Sequence, residues 1–229
     1  MSLCCVSCYF PVNNKHNNKY LEWFKNTLSI NCPYIFFTEK DSIEIIKSFR
    51  KDLPTYYIIT KIEDLYTYKY KNKMIVDSIH CPSAELNMIW NEKIFMIKKA
   101  YELNPFNSDW FKWIDAGICI YRDISPPNTV FPNIDTLNNL PKDKFIYSSS
   151  MDYSDDLLAT KYDHHIAGTS YILYKDIINT FANLYDTYLD KLCDNIWTDQ
   201  IILTYIYKDN PHLFFKLCSG YGETVTHLY

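Results

Sequence analysis

Trp110-Phe-Lys-Trp-Ile-Asp115-Ala-Gly117 decides how this chain is read, because five residues made for a buried strand end in one carboxylate followed by two very small residues. Aromatic and β-branched side chains fit the pleated surface of a sheet. An ionised Asp at the end of such a strand, beside apolar surface, costs several kcal/mol unless a polar partner meets it. Ala116 and Gly117 keep side-chain bulk away from that position. In open α/β sheets ligands bind at the carboxyl ends of the strands, which makes Asp115 a candidate ligand contact. The alternative is an ordinary Asp-Gly turn.

On both sides of this stretch, short β-type runs alternate with helix-period segments, which predicts an α/β layer fold around a mostly parallel sheet. Leu3 to Phe10 is expected to be the first strand. Tyr20, Leu21, Phe24 and Leu28 recur at helical spacing, and Tyr34 to Thr38 follows as a second strand. Asp41 is placed to cap a short helix through Phe49, and Thr55 to Thr60 gives a third strand. Ser83 is expected to cap a long amphipathic helix, in which Leu86, Trp90, Ile94, Ile97 and Tyr101 step by three or four before Asn104-Pro105. Asn87, Asn91 and Lys93 lie on or near the flanks of that apolar stripe. Lys144 to Ser149, Ser170 to Tyr174 and Leu213 to Leu217 are expected as later strands. Asp176 to Leu192 is expected as a helix with Ile177, Phe181, Leu184, Tyr188 and Leu192 inward, and Thr198 caps another through Tyr207. The polar, Pro-interrupted stretches 61–82 and 123–143 read as loops or lids.

No Gly/Ser/Pro-rich linker interrupts the 229 residues, so a single domain with a filled core is expected. Hydrophobic residues make up 48% and aromatics 17%, which excludes global disorder and predicts an interior with many Tyr hydroxyls needing partners. The net charge is −4, and Arg50 and Arg122 are the two arginines. That balance argues against nucleic acid as a partner, since binding a phosphate backbone relies on a concentrated basic face. Of the eight cysteines, Cys5 and Cys8 form one C-x-x-C, Cys119 and Cys218 lie in apolar runs, and Cys193 follows Leu192. Buried free thiols in a reducing compartment are expected rather than a disulfide framework. The first ten residues lack a basic start, and no stretch reaches about 18 apolar residues, so neither a signal peptide nor a transmembrane segment is expected and the location is read as cytoplasmic.

Two further patches combine polar groups with small residues. His164-His165-Ile-Ala-Gly168 precedes an expected strand, where Gly168 lets a backbone approach a ligand and the histidines offer donors, acceptors or a metal ligand. In Trp197-Thr198-Asp199-Gln200, Thr198 at the N-cap puts Asp199 in the first helical turn, where free amides and the helix dipole favour its ionised form. Each also has a plain structural explanation as a solvated histidine pair and a stabilising first-turn acid.

In order and setting the three patches resemble a glycosyltransferase of the GT-A type, and more narrowly the HtrL/YibB-like family of proposed glycosyltransferases. The resemblance rests on Ile35-Phe-Phe-Thr-Glu39 with Arg50 downstream, Asn91-Glu-Lys93 leading to Ala100 and Asn104-Pro-Phe106, and Trp113-Ile-Asp-Ala-Gly117. It continues in Ile166-Ala-Gly168 and in Thr198-Asp-Gln200 followed by Asn210-Pro-His-Leu-Phe214. The Trp-Ile-Asp-Ala-Gly and Asp-Gln elements are its most specific parts.

The resemblance implies one Rossmann-type GT-A-like domain over 1–229, with a nucleotide-binding half in 1–104 and an acceptor and catalytic half in 105–229. It implies transfer of a sugar from a nucleotide-sugar donor, a UDP-sugar favoured, to a glycan or other hydroxyl acceptor. Ser7, Tyr9, Thr38 and Arg50 would cradle base and ribose, with Asn91 and Lys93 on the donor side and Lys93 neutralising diphosphate charge. Asp115 would position the ribose or a divalent Mn²⁺ or Mg²⁺, with His227 as a further metal ligand. His164, His165, Gly168 and Gln200 would meet the substrate, and Asp199 would act on the acceptor hydroxyl, held at low pKa by the helix start. The chain departs from the Asp-x-Asp pattern of GT-A enzymes, since Gly117 falls where the second Asp would stand. A catalytically inactive nucleotide-sugar or glycan-binding module is the competing class.

Overall fold

Alternation along β4 (Trp110–Ile114) sends Phe111 and Trp113 to one face of a sheet and Trp110, Lys112 and Ile114 to the other, with all five buried. In the computed structural model, which describes residues 2–16, 19–160, 162–192 and 194–229, seven strands form one sheet. The others are β1 (Leu3–Tyr9), β2 (Tyr34–Thr38), β3 (Thr55–Ile59), β5 (Phe145–Ser149), β6 (Ile166–Tyr174) and β7 (Phe214–Ser219), in the order β3-β2-β1-β4-β6-β5-β7. β1 pairs in parallel with β2 and β4, β2 with β3, and β5 with β7, whereas β6 runs antiparallel to β4 and β5. The chain is thus a single α/β domain around a mostly parallel mixed sheet.

Helices cover both faces. α1 (Lys19–Thr27), α2 (Ile43–Arg50), α4 (Ile134–Asn138) and α7 (Glu223–Thr226) bury Phe24, Ile46, Leu137 and Val225 against one. α3 (Ala84–Leu103), α5 (Lys175–Lys191) and α6 (Asp199–Asp209) cover the other with Ile97, Phe181 and Ile202. Ser83 accepts from the Leu86 amide at the start of α3, and Asn104 closes it in the left-handed region at φ +36°. α3 is buried well beyond the expected stripe, taking in Asn87, Asn91, Glu92 and Lys93. No helix of the described residues is long and apolar enough to cross a membrane.

Several expectations shift. Residues 40–42 form a 3-10 turn, so Asp41 caps nothing and α2 starts at Ile43. Thr198 occupies the N-cap of α6 without a side-chain bond to it. On α5, Ile178, Tyr185 and Leu189 are buried beside the expected Phe181 and Tyr188, Ile177, Leu184 and Leu192 are half-buried against the same core, and the Tyr185 hydroxyl donates to Asn91 Oδ1 at 2.7 Å. β6 begins at Ile166, so Ile166-Ala-Gly168 lies within a strand rather than before one. The stretches read as loops carry 3-10 turns at 62–64 and 66–73 and the short α4. Cys5 and Cys8, three apart on β1, pack on opposite faces and are free thiols. Cys193 lies outside the described residues.

Candidate active site

After β1 the chain turns to β2 and β3 on one side, and β4 adds on the other, so the carboxyl ends of β1 and β4 flank a topological switch point. That is where open α/β sheets form a ligand crevice. A cleft of about 480 Å³ opens there and adjoins a narrower apolar lobe of about 110 Å³. Both lobes share Tyr20, Trp90, Lys93, Asp115 and Arg122.

Asp115 follows β4 on the face of Trp113, and the Trp113 indole donates to its Oδ1 at 2.7 Å. Its amide donates to the Thr169 carbonyl of β6 at 3.0 Å, so the antiparallel strand brings Gly168 beside it. Lys93 reaches the same point from α3. Its Nζ lies 3.2 Å from Asp115 Oδ1 and 3.0 Å from Asp199 Oδ2, and donates to the Gly168 carbonyl at 2.9 Å. The Lys93 and Asp199 side chains are each 5% exposed and that of Asp115 is 31% exposed, so Asp115 is the member of the trio that meets the cleft most openly. Gln200 accepts from the Gly168 amide at 3.1 Å. A Cβ at Gly168 would stand 2.5 Å from Asp199 Oδ2, so the glycine is required by space.

Burial pushes the Asp199 carboxyl up to about 6, with the Asp115 charge adding to the rise and Lys93 opposing it. The expectation that the helix start holds it low is overturned, since desolvation outweighs the dipole at a side chain this buried. The same two carboxylates hold the Lys93 ammonium charged, well above its ordinary value, despite its burial.

Other expected site residues divide between the cleft wall and the interior. Tyr9 lines the narrow lobe, and His164, Gly168 and Gln200 line the wide one. His164 Nδ1 faces the Tyr162 carbonyl at 2.8 Å, which makes Nε2 the acceptor for the Tyr221 hydroxyl at 2.7 Å. Tyr221 itself stands between Gly220 at φ +108° and Gly222 at φ +82°, conformations that favour glycine. Ser7 and Thr38 are buried, and Thr38 donates to the Tyr9 carbonyl. Neither lines the cleft, because β1 continues to Tyr9 and the loop that faces the cleft comes later. Arg50 is buried below the sheet, donating to the carbonyls of Leu28, Ile30, Cys32 and Pro54, and its guanidinium closes loops rather than meeting a ligand. Asn91 sits behind the wall, donating to the Trp197 carbonyl at 2.9 Å, and so positions the segment that leads into Asp199. His165 is packed against Tyr207 and accepts from the Tyr147 hydroxyl, away from the cleft. His227 is exposed at the end of α7 and does not line it.

The donor set does not fit the divalent metal that the resemblance implies. Both protein contacts of Asp115 fall on Oδ1, Gly117 offers no ligand, and the Lys93 ammonium occupies the space between the two carboxylates. The described residues hold no group of three or more His, Cys, Asp or Glu side chains arranged for a metal. Sequence reasoning passed over Lys15, His16 and Arg122, which also line the wide lobe. The signal was a loop of polar residues directly after the first strand.

Fold and site together define an α/β protein with a buried carboxylate–ammonium–carboxylate cluster at its switch-point cleft. The chain belongs to the family described as "Bacterial protein of unknown function (HtrL_YibB)", whose model matches residues 77–224. No curated protein matches the chain in sequence. Among solved structures, the glycosyltransferase GlyE of Streptococcus pneumoniae TIGR4 is similar at a TM-score of 0.49 and 10% identity, over 94% of this chain and 45% of that one. Its apo form gives a TM-score of 0.47, 10% identity and coverage of 95% and 45%. The 4-diphosphocytidyl-2C-methyl-D-erythritol synthase of Anaerococcus prevotii DSM 20548 is similar at a TM-score of 0.40 and 11% identity, over 97% of this chain and 89% of that one. The chain therefore spans less than half the length of the GlyE chains it matches.

Proposed function

We propose that this chain is a glycosyltransferase that moves a sugar from a nucleotide-sugar donor to a hydroxyl of a glycan or related acceptor. The observation that carries the reading is the Asp115–Lys93–Asp199 cluster at the mouth of two joined lobes. In this reading the narrow apolar lobe takes the donor's nucleoside part and the wide lobe takes sugar and acceptor. Residues 1–104 then supply most of the donor side and 105–229 the acceptor side. The buried thiols Cys4, Cys5 and Cys32 support a reducing, cytoplasmic setting.

Asp115 has Oδ1 occupied by Trp113 and Lys93, which leaves Oδ2 for a donor hydroxyl. Asp199, with its carboxyl raised to about 6, is ionised at neutral pH yet basic enough to take the acceptor proton. The acceptor oxygen then bonds to the sugar's anomeric carbon as the bond to the β-phosphate oxygen breaks. The electron pair of that bond leaves on the nucleoside diphosphate, and the acceptor's proton goes to Asp199. General-base help of this kind contributes about 10²–10⁴-fold in rate.

The test is nucleoside diphosphate release by the full chain from a panel of nucleotide sugars, UDP-sugars first, with simple glycosides as acceptors. Release is expected with at least one donor, and Asp115→Asn and Asp199→Asn are expected to lose about 100-fold or more while keeping their melting temperatures. Full activity in both variants contradicts the assignments. Stabilisation by nucleoside diphosphates without product identifies the binding module instead.

A further inference from the structure

A second group of basic side chains lines the wide lobe. The loop after β1 is folded back on itself, with Asn14 Nδ2 donating to the Val12 carbonyl at 3.0 Å and the His16 amide donating to Asn14 Oδ1 at 2.9 Å. It presents Lys15 and His16 to the wide lobe. Arg122, from the segment after β4, lines both lobes. Its guanidinium lies over the Trp23 ring at 3.8 Å, and His16 packs edge-on to the same ring at 4.9 Å and to Tyr20 at 5.6 Å. Stacking of this kind fixes the guanidinium plane; Nε donates to the Gly117 carbonyl at 3.5 Å, and the two terminal nitrogens are left to form a fork of donors. Among the described residues, no carboxylate lies within ion-pairing distance of Lys15 or Arg122. Burial, with the charges of Arg122, Lys15 and Lys19, shifts the His16 imidazole toward its neutral form.

Asp77, Asp115 and Asp199 line the same lobe, but none pairs with Lys15 or Arg122, so an anion placed against these two cations supplies the counter-charge they lack. Resting on the transferase reading of this cleft, we infer that Arg122, Lys15 and His16 clamp the diphosphate of the donor, and that they do so without a divalent metal. Arg122 supplies a planar pair of donors, Lys15 a point charge and His16 a neutral N–H. The site is thereby matched to pyrophosphate linkages in general, and selection of the base falls to the apolar lobe.

Inorganic pyrophosphate, which carries no base, tests this directly by titration calorimetry on the full chain in EDTA. The wild type is expected to bind it, and Arg122→Gln and Lys15→Gln are each expected to bind at least tenfold more weakly. Arg122→Lys should recover part of the loss. Melting curves of all three variants report folding, and a misfolded Arg122 variant leaves the Lys15 variant to decide. Pyrophosphate binding that requires Mn²⁺, no binding by the wild type, or wild-type affinity in both glutamine variants overturns the clamp. Pyrophosphate bound through Arg122 by a chain that consumes no nucleotide sugar keeps the clamp and refutes the transferase. Turnover with unchanged donor KM in Arg122→Gln does the reverse.

Discussion

Asp199 begins α6, where free amides and the dipole favour a carboxylate, yet burial raises its carboxyl to about 6. A base works only when ionised, so transfer is expected to rise with pH along a limb of apparent pKa about 6. A flat rate–pH profile between 5 and 7 contradicts the base assignment. Lys112 is the second buried charge that matters. It is on the opposite face of β4 from the cleft, has no carboxylate partner among the described residues, and donates to Thr224 Oγ1 at 2.7 Å. Burial lowers its ammonium to about 7, below the roughly 10.4 of an unfolded lysine. The folded chain therefore binds fewer protons than the unfolded one between those values, so this group makes stability rise with pH from about 7 to about 10, and its burial costs most below 7. Lys112→Met is expected to stabilise the protein at pH 6 by on the order of 2–4 kcal/mol and to flatten that rise, as read by melting at several pH values. A fall in melting temperature at pH 6 contradicts this account of Lys112.

At the scale of elements, the juncture of β6 with the start of α6 sets the geometry of the cluster. Gly168→Ala would bring a methyl group within 2.7 Å of Gln200 Cγ and closer still to Asp199 Oδ2, so the start of α6 must shift and disturb the Asp199–Lys93 contact. The variant is expected to fold, with transfer reduced about tenfold or more, since small misplacements at a reacting centre are costly. Unchanged kcat contradicts the placement. Much of this juncture was legible in the sequence. The small residues around Gly168 announced a close approach, and Thr198-Asp199 announced a helix start. The Asp115 strand was legible from its aromatic and β-branched run and its abrupt acid. What local pattern could not give was Lys93 meeting both acids, because that pairing depends on α3 crossing the sheet at a particular angle. Arg50 misled for a related reason. A guanidinium that closes loops by donating to four carbonyls leaves the same trace in a sequence as one that awaits a phosphate.

For the whole molecule, strand runs were readable from composition, but the order β3-β2-β1-β4-β6-β5-β7 was not, since a buried apolar strand looks the same in either direction. That order creates the switch point, and with it the two lobes, the acid–lysine–acid cluster and the basic side chains that line the same cleft. Lys15 and His16 belong to a loop without periodicity, so only the fold places them in the cleft. A carboxylate cluster and basic side chains unpaired among the described residues, in one crevice, suit a ligand that carries both a diphosphate and hydroxyls. The most direct measurement is the structure of the chain co-crystallised with a nucleoside diphosphate in EDTA. The diphosphate is predicted against Arg122 and Lys15, with the nucleoside in the narrow lobe beside Tyr9. Density for it elsewhere on the molecule, with the cleft unchanged, would contradict the account.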